Sequence, residues 1–432
     1  MWRASCSPRT GQRAKRTPVV FLWRSRSPLR RAEDGHQGSF SASMSDIREM
    51  ETCFMKEIKY IFGKFLYNLV KDQPDTSVVM SSYSSMFLLA QLAMYASGQS
   101  QTELLNLLHL RNKDEITSSI PEIYKSLEDQ QNIILNMAAK SYVNAKYSLS
   151  DSYKSDTKTY FKAEAENVDF SNPRTAAQII NSWVADHTNN KIKNLITPSD
   201  LSSDTQVVLA NAIYFMGRWV KPFELDRTKP ADFYTSKEET VRVDMMNMEN
   251  TFKYAELEDL NAKALELGYL NRNFSFLVVL PNNKKDDTNL ITKLIEPAAI
   301  RSIKQNMKYE KVDVSLPKFE TTTSIDLKSI LQKASVLFNI WQVGVDDIFS
   351  PGTTGLNGII EGVDTLFVSS AIQKANIIVD EVGSEASAAN AFLLVGASFN
   401  PEPPKVFNAD HPFVYYILFQ DNPIFCGLFA GK

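Results

Sequence analysis

Cysteine is scarce: Cys6, Cys53 and Cys426 are an odd number spread over the whole 432-residue chain, which argues against a disulfide framework and against a structural zinc site. Histidine is nearly as scarce, and His36, His109, His187 and His411 share no metal-ligand spacing. No stretch reaches the roughly 18 apolar residues a membrane-spanning helix needs. A surplus of one charge is also missing, and the formal net charge of −3 gives no global attraction to nucleic acid. The glycines from Pro351 to Gly358 lack phosphate-loop spacing and read as a turn. Ser315-Leu316-Pro317-Lys318 matches a Ser-x-x-Lys pattern, but in a strand-like run without its partner motifs. The sequence therefore implies no metal, no cofactor, no catalytic residue, and neither a membrane nor a nucleic-acid partner.

What remains is apolar matter enough for a large core, 44% hydrophobic with 11% aromatic. The charge is unevenly placed. Nine of the 47 Lys/Arg and two of the 50 Asp/Glu fall in residues 1–43, a net +7 there and −10 in the remainder. This Ser-, Pro- and Arg-rich head has no apolar run longer than Val19–Trp23, too short for the core of a secretory signal. Pro8, Pro18 and Pro28 oppose the amphipathic helix of a transit peptide. Residues 1–43 read as a disordered basic segment, or as sequence translated ahead of a start at Met44.

Residues 44–432 carry no internal repeat, long linker or low-complexity tract and read as one domain, against the size prior of two or three. Helical periodicity runs over Met50–Val70, Phe87–Leu110, Ile120–Glu128 and Ala176–Ile192. Later segments are short and β-branched or aromatic: Thr205–Tyr214, Phe274–Leu280, Val312–Leu316, Ile377–Val379 and Pro412–Phe419. Helices early and strands late make an α+β pattern. Residues 383–391, Gly-Ser-Glu-Ala-Ser-Ala-Ala-Asn-Ala, are nearly all small, and small side chains suit a strand that must slide between two others.

That stretch, from Glu381 through Gly383, Ser384, Glu385, Ala386, Ser387, Ala388 and Ala389, resembles the hinge of the serpins, a family of serine protease inhibitors. Four further segments resemble the family in order: Asn181–Thr188 with Lys191-Ile192, Asn211–Phe223, Leu316–Phe319, and Phe407–Ile417 continuing through Asn422–Gly427. Three residues depart from its pattern. Ser82 stands where the family usually has proline, Gln373 where many members have histidine, and Asn390 where the hinge usually carries threonine. The resemblance implies a large central β-sheet with two further sheets, about eight or nine helices and an exposed reactive loop over about 381–411. Ser81, Ser84, Asn211 and Gln373 would lie where the central sheet opens.

The resemblance also implies a suicide mechanism. A protease attacks the loop, and before the acyl-enzyme hydrolyses the freed loop enters the central sheet and drags the protease with it. By period two, Ser384, Ala386, Ala388 and Asn390 would then face one side of the sheet. An Asn390 amide buried without partners costs about 1–3 kcal/mol, so Asn390→Thr is expected to lower the inhibitor spent per protease trapped. The family's usual register places the scissile bond at Ala397-Ser398, which suits a protease with a small primary pocket of the elastase type. Cleavage after Leu394 or Phe399 would instead imply a chymotrypsin-like target. The expected partner is thus a serine protease, held covalently by a monomeric inhibitor. A non-inhibitory carrier or chaperone, and a trap for papain-like cysteine proteases, are the alternatives. Arg301, Lys304 and Lys308 would share a helical face, but an acidic body opposes a glycosaminoglycan partner. Without a signal the sequence as it stands implies the cytoplasm, and export is the alternative usual for the family; only then would the acceptor Asn273-Phe274-Ser275 matter.

Overall fold

A computed structural model describes residues 75–128, 130–235, 239–284, 299–337, 345–362, 365–383 and 403–431, together with Gly63, Leu66, Tyr67, Leu290, Lys293 and Leu294. Seven α-helices fall among the described residues: α1 (Ser82–Tyr95), α2 (Gly98–Leu107), α3 (Lys113–Leu127), α4 (Asp151–Phe161), α5 (Pro173–His187), α6 (Ala299–Asn306) and α7 (Leu327–Leu337). The strands are β1 (Val78–Met80), β2 (Ile133–Asn144), β3 (Ser148–Leu149), β4 (Glu164–Val168), β5 (Val207–Gly217), β6 (Lys229–Tyr234), β7 (Thr240–Leu257) and β8 (Ala262–Gly268). They continue as β9 (Phe274–Pro281), β10 (Lys308–Pro317), β11 (Phe319–Asp326), β12 (Ile360–Glu361), β13 (Val368–Val379), β14 (Lys405–Asn408), β15 (Phe413–Phe419) and β16 (Asn422–Phe429).

They form three sheets. A nine-stranded sheet runs β1-β16-β15-β9-β8-β7-β10-β14 with β6 attached to β7, and β3 and β12 make a two-stranded ribbon. The five-stranded sheet has the order β11-β13-β5-β2-β4. Its β11/β13 and β5/β2 ladders are antiparallel, while β13/β5 and β2/β4 are parallel. Parallel neighbours need long crossovers, and here 150 residues separate the end of β5 from the start of β13.

Helix α1 is apolar nearly all round and accordingly buried from Ser82 to Ala93. It contacts β5 of one large sheet and β16 of the other. The opposite face of the five-stranded sheet is covered by α5, which starts at an Asn172 cap with Pro173 in the first turn. Its Ala176, Ala177, Ile180 and Val184 pack with Ala138 and Tyr142 of β2 and Val208, Ala210 and Ala212 of β5. Burying an Ile or Val there contributes about 1.5–3 kcal/mol.

Two expected helices change shape. Phe87–Leu110 divides into α1 and α2, because Ala96 and Ser97 adopt extended backbone. Ala176–Ile192 ends at His187, since Asn189 and Asn190 take left-handed conformations and Thr188 Oγ donates to the Val184 carbonyl at 2.7 Å. The Met50–Val70 reading lies outside the described residues except at Gly63, Leu66 and Tyr67. The basic face of Arg301, Lys304 and Lys308 is not formed: Lys308 opens β10, and Lys304 contacts Glu266 at 2.7 Å and Asp421.

Candidate functional site

The parallel seam between β5 and β13 is registered from Val207/Val368 to Phe215/Ile377, with a bulge between Val368 and Ser370. Midway along it Gln373 sits opposite Asn211. On both strands odd-numbered side chains at this height point to α1, where the N-terminus of that helix meets them. Gln373 clasps one residue twice: its Oε1 accepts from the Ser81 N–H at 3.1 Å and its Nε2 donates to the Ser81 carbonyl at 2.9 Å. The same Nε2 donates to Ser85 Oγ at 2.7 Å. Asn211 Nδ2 donates to the Ser84 carbonyl at 2.7 Å, and Ser84 Oγ donates to Asn211 Oδ1. Ser81 Oγ caps α1 at the Ser84 N–H and donates to the Ile424 carbonyl at 2.8 Å, tying the cluster to the other sheet.

All five residues are buried, Gln373 completely. A buried amide must find partners, and both halves of Gln373 do. Ser81, Ser84, Asn211 and Gln373 are thus brought together. Ser85 joins them and was missed; its place one helical turn from Ser81 was the available signal. Ser82, at the position of the family proline, is buried at the first turn of α1.

The upper end of the seam is built differently. Beyond Val379 the chain keeps contact with the segment that follows β5: Trp219 N–H donates to the Val382 carbonyl at 3.2 Å and Phe223 N–H to the Glu381 carbonyl at 2.8 Å. The Trp219 indole N–H donates to the Asp380 carbonyl at 2.8 Å while its ring stacks on Tyr269, centroids 4.4 Å apart. The Asp380 carboxylate accepts from the N–H groups of Val382 (3.1 Å) and Gly383 (2.6 Å), an Asx-type turn. Gly383 has φ +76°, and a Cβ there would lie 2.2 Å from the Gly217 carbonyl oxygen. Only glycine fits.

Glu381 is 4% exposed and receives Lys318 Nζ at 2.8 Å. Burial works to raise the Glu381 carboxyl, but Lys318 together with a backbone N–H and Thr228 holds it below the usual range. The carboxylate in turn holds the Lys318 ammonium above its ordinary value. Glu381 and Gly383 therefore anchor the turn at 380–383. Trp219, Lys318 and Asp380, which fix them, were not singled out from the sequence, although each stands in or beside a quoted motif. The expectations for Ser384, Glu385, Ala386, Ser387, Ala388, Ala389, Asn390, Ala397 and Ser398 lie outside the described residues.

A second anchor sits on the α5 face. Lys140, its side chain 7% exposed, places Nζ 2.7 Å from Glu164 and 2.8 Å from Glu166, both on β4. The same ammonium lies 5.1 Å from the Trp183 ring centroid of α5, and the Trp183 indole donates to Glu164 at 3.1 Å. Among the described residues no His/Cys/Asp/Glu group is placed to hold a metal ion, and no helix is long and apolar enough to cross a membrane.

A family model described as serpin (serine protease inhibitor) matches residues 61–432. The chain is 37% identical over 367 residues to antichymotrypsin-2 of Bombyx mori, covering 85% of this chain and 95% of the relative. It is 30% identical over 371 residues to a leukocyte elastase inhibitor of Equus caballus, covering 84% and 94%. Among solved structures, Serpin48 of the insect Tenebrio molitor, described as a highly specific serpin, superposes with TM-score 0.75 at 30% identity, covering 92% of this chain and all of that one.

Proposed function

This chain belongs to the serpin family of serine protease inhibitors, and from that premise we propose that residues 44–432 form one inhibitory domain that traps a serine protease by inserting its cleaved loop between β5 and β13. The observation that carries this reading is the parallel, directly paired seam at which β13 ends in the anchored turn 380–383. Chain leaving that turn and folding back would run antiparallel to β13 and to β5 alike. Insertion would exchange one parallel ladder for two antiparallel ones. A twelve-residue strand thus gains roughly a dozen net backbone hydrogen bonds, on the order of 10 kcal/mol at about 1 kcal/mol each. The native arrangement is then held kinetically, with the Gln373 and Asn211 clasps and the Glu381–Lys318 pair as the barriers.

The scissile bond we assign is Ala397-Ser398, in the loop between this seam and β14, with a protease of small primary pocket as target. Pairing of twelve residues with β13 spans about 40 Å, enough to carry an acylated loop end along the whole strand. The test is incubation of the chain with pancreatic elastase and with chymotrypsin, followed by denaturing electrophoresis and mass determination of the released peptide. A denaturant-stable complex with a peptide starting at Ser398 is expected with elastase. Cleavage without a complex by either enzyme would sink the inhibitory reading for those targets and favour a carrier or a different protease class.

A further inference from the structure

At the corner between β14 and β15 a single imidazole meets an acceptor at each of its nitrogens. His411, 5% exposed, has Nδ1 2.7 Å from Asp410 Oδ1 and Nε2 2.7 Å from the carbonyl oxygen of Pro281, the last residue of β9. Neither partner has a proton to give. A backbone carbonyl carries lone pairs only. Burial works to raise the Asp410 carboxyl, but His411 and Lys284 hold it below the usual carboxylate range, so at neutral pH it is an anion. Asp410 is also the hub of the corner. Its Oδ2 receives Lys284 Nζ at 2.7 Å and Asn408 Nδ2 at 3.3 Å, and its backbone carbonyl receives the Tyr234 N–H of β6 at 2.8 Å.

Neutral imidazole has one N–H, and filling both contacts takes two. We propose that His411 is a proton-dependent latch, which as the imidazolium fastens the β14–β15 corner to β9 and on losing its proton lets that grip go. The partners decide which bond is lost. The remaining N–H stays on the anionic Asp410 carboxylate, the stronger acceptor, and the bare Nε2 then faces the Pro281 oxygen lone pair against lone pair.

The groups around the ring set the sense of the switch. From its own corner the Asp410 carboxylate favours the cation, and from the segment after β9 Lys284 opposes it through that shared carboxylate. From β6 come the Tyr234 ring, with Lys284 Nζ 3.9 Å from its centroid, and Asp232, already paired with Arg242 of β7 at 2.7 Å. Lys229 of β6 shares a surface groove with Asp410, floored by the uncharged Asn247 and Ser315. The latch bears on β14 because that strand is short and lies at an edge. Among the described residues it pairs with β10 alone, from Val312/Lys405 to Ser315/Asn408, and the Ala409 N–H continues the ladder to the Ser315 carbonyl at 2.9 Å. Imidazole changes charge between about pH 5 and 8. The doubly bonded form is the acid one, so the contribution of the latch is present in mild acid and is lost as pH rises.

The test is amide hydrogen exchange of the full chain from about pH 5 to about pH 8, read as protection relative to unstructured peptide so that ordinary base catalysis cancels. Tyr234 and Ala409 report on the corner, since their N–H groups bond to the Asp410 and Ser315 carbonyls. Val279 of β9, paired with β8 and β15 alike, is the control. Protection at the two corner amides is expected to fall about tenfold or more across that range, the factor a hydrogen bond to a charged group is worth, with Val279 unmoved. In His411→Gln, whose amide does not titrate, the fall is expected to vanish. Corner protection that ignores pH, or a fall that persists in His411→Gln, overturns the latch. Ring-nitrogen NMR of the unaltered chain needs no variant, the ring being identified by its nearness to Pro281. Two protonated nitrogens at the acid end, and a proton on Nδ1 alone at the alkaline end, are expected. A ring already neutral in acid, or one that keeps its last proton on Nε2, also overturns the assignment.

Discussion

At Gly383 two independent demands meet in a single residue: a φ of +76° that L side chains avoid, and a carbonyl oxygen 2.2 Å from where a Cβ would stand. The left-handed conformation alone costs a non-glycine residue about 1–2 kcal/mol. Gly383→Ala is therefore expected to destabilise the native chain by at least that amount, read as a lower midpoint of thermal unfolding. An unaltered midpoint would mean that the turn rearranges freely. Two residues earlier, Glu381→Gln removes the charge that Lys318 faces. Because Lys318 is partly exposed the loss is expected to be about 1 kcal/mol.

The pH dependence of that pair has a definite sign. Glu381 is held below its unfolded range, so its contribution is present above about pH 4.3 and is lost as pH falls through the folded value. Lys318 is held above its unfolded value, so its contribution is present below about pH 10.4 and is lost as pH rises through the folded one. Between those limits the clasp is intact. Unfolding midpoints of wild type and Glu381→Gln are expected to differ at pH 7 and to converge below about pH 4; a constant difference would locate the effect in packing rather than charge.

Among the elements, α5 would have the most to lose if the seam parted as proposed. It packs on β2 and β5, while the chain just after it reaches the far side of the seam, where Lys374 Nζ of β13 donates to the Asn194 carbonyl at 2.6 Å. The Lys140 ammonium, shared by two glutamates and the Trp183 ring, fixes the helix to the β2/β4 edge. Lys140→Met is expected to cost about 1–3 kcal/mol, below the range for fully buried pairs because Glu164 and Glu166 are half exposed. Thermal unfolding checks it, and a loss under about 0.5 kcal/mol would make the cluster ornamental.

Elements of this kind differ in how far the sequence discloses them. Strands β9 and β15 are legible as apolar runs, because both faces are buried and nothing breaks the pattern. The ends of α1 and α5 were overrun because Ser97 and Asn189 can be helical as readily as not, and tertiary contacts decide. The run of small residues after Gly383 was visible as composition, and Ser81, Ser84, Asn211 and Gln373 through the family resemblance. Their bonding was not, since Gln373 meets Ser81 across 292 positions and Lys318 meets Glu381 across 63. Neither distance leaves a periodic trace.

Taken whole, the molecule has a packed core on both faces of the five-stranded sheet, and the proposed mechanism asks the seam inside that sheet to part. The buried clasps at Gln373 and Asn211 oppose parting locally, whereas the net ladder gained on insertion, on the order of 10 kcal/mol, favours it globally. The first is a barrier and the second an equilibrium, so they separate experimentally. Cutting the loop with an endopeptidase that is not trapped removes the tether to β14 without touching the clasps. The cleaved chain is expected to melt about 10 °C or more above the intact one, since each kcal/mol shifts a domain of this size by a degree or so. Gln373→Ala, by contrast, is expected to lower the melting temperature of the intact chain and to leave the cleaved form less affected, because the clasp to Ser81 is made in the intact chain and would be parted by insertion in the cleaved one. Equal shifts in both forms would mean that Gln373 merely packs, and that the barrier resides at the Glu381–Lys318 end of the seam.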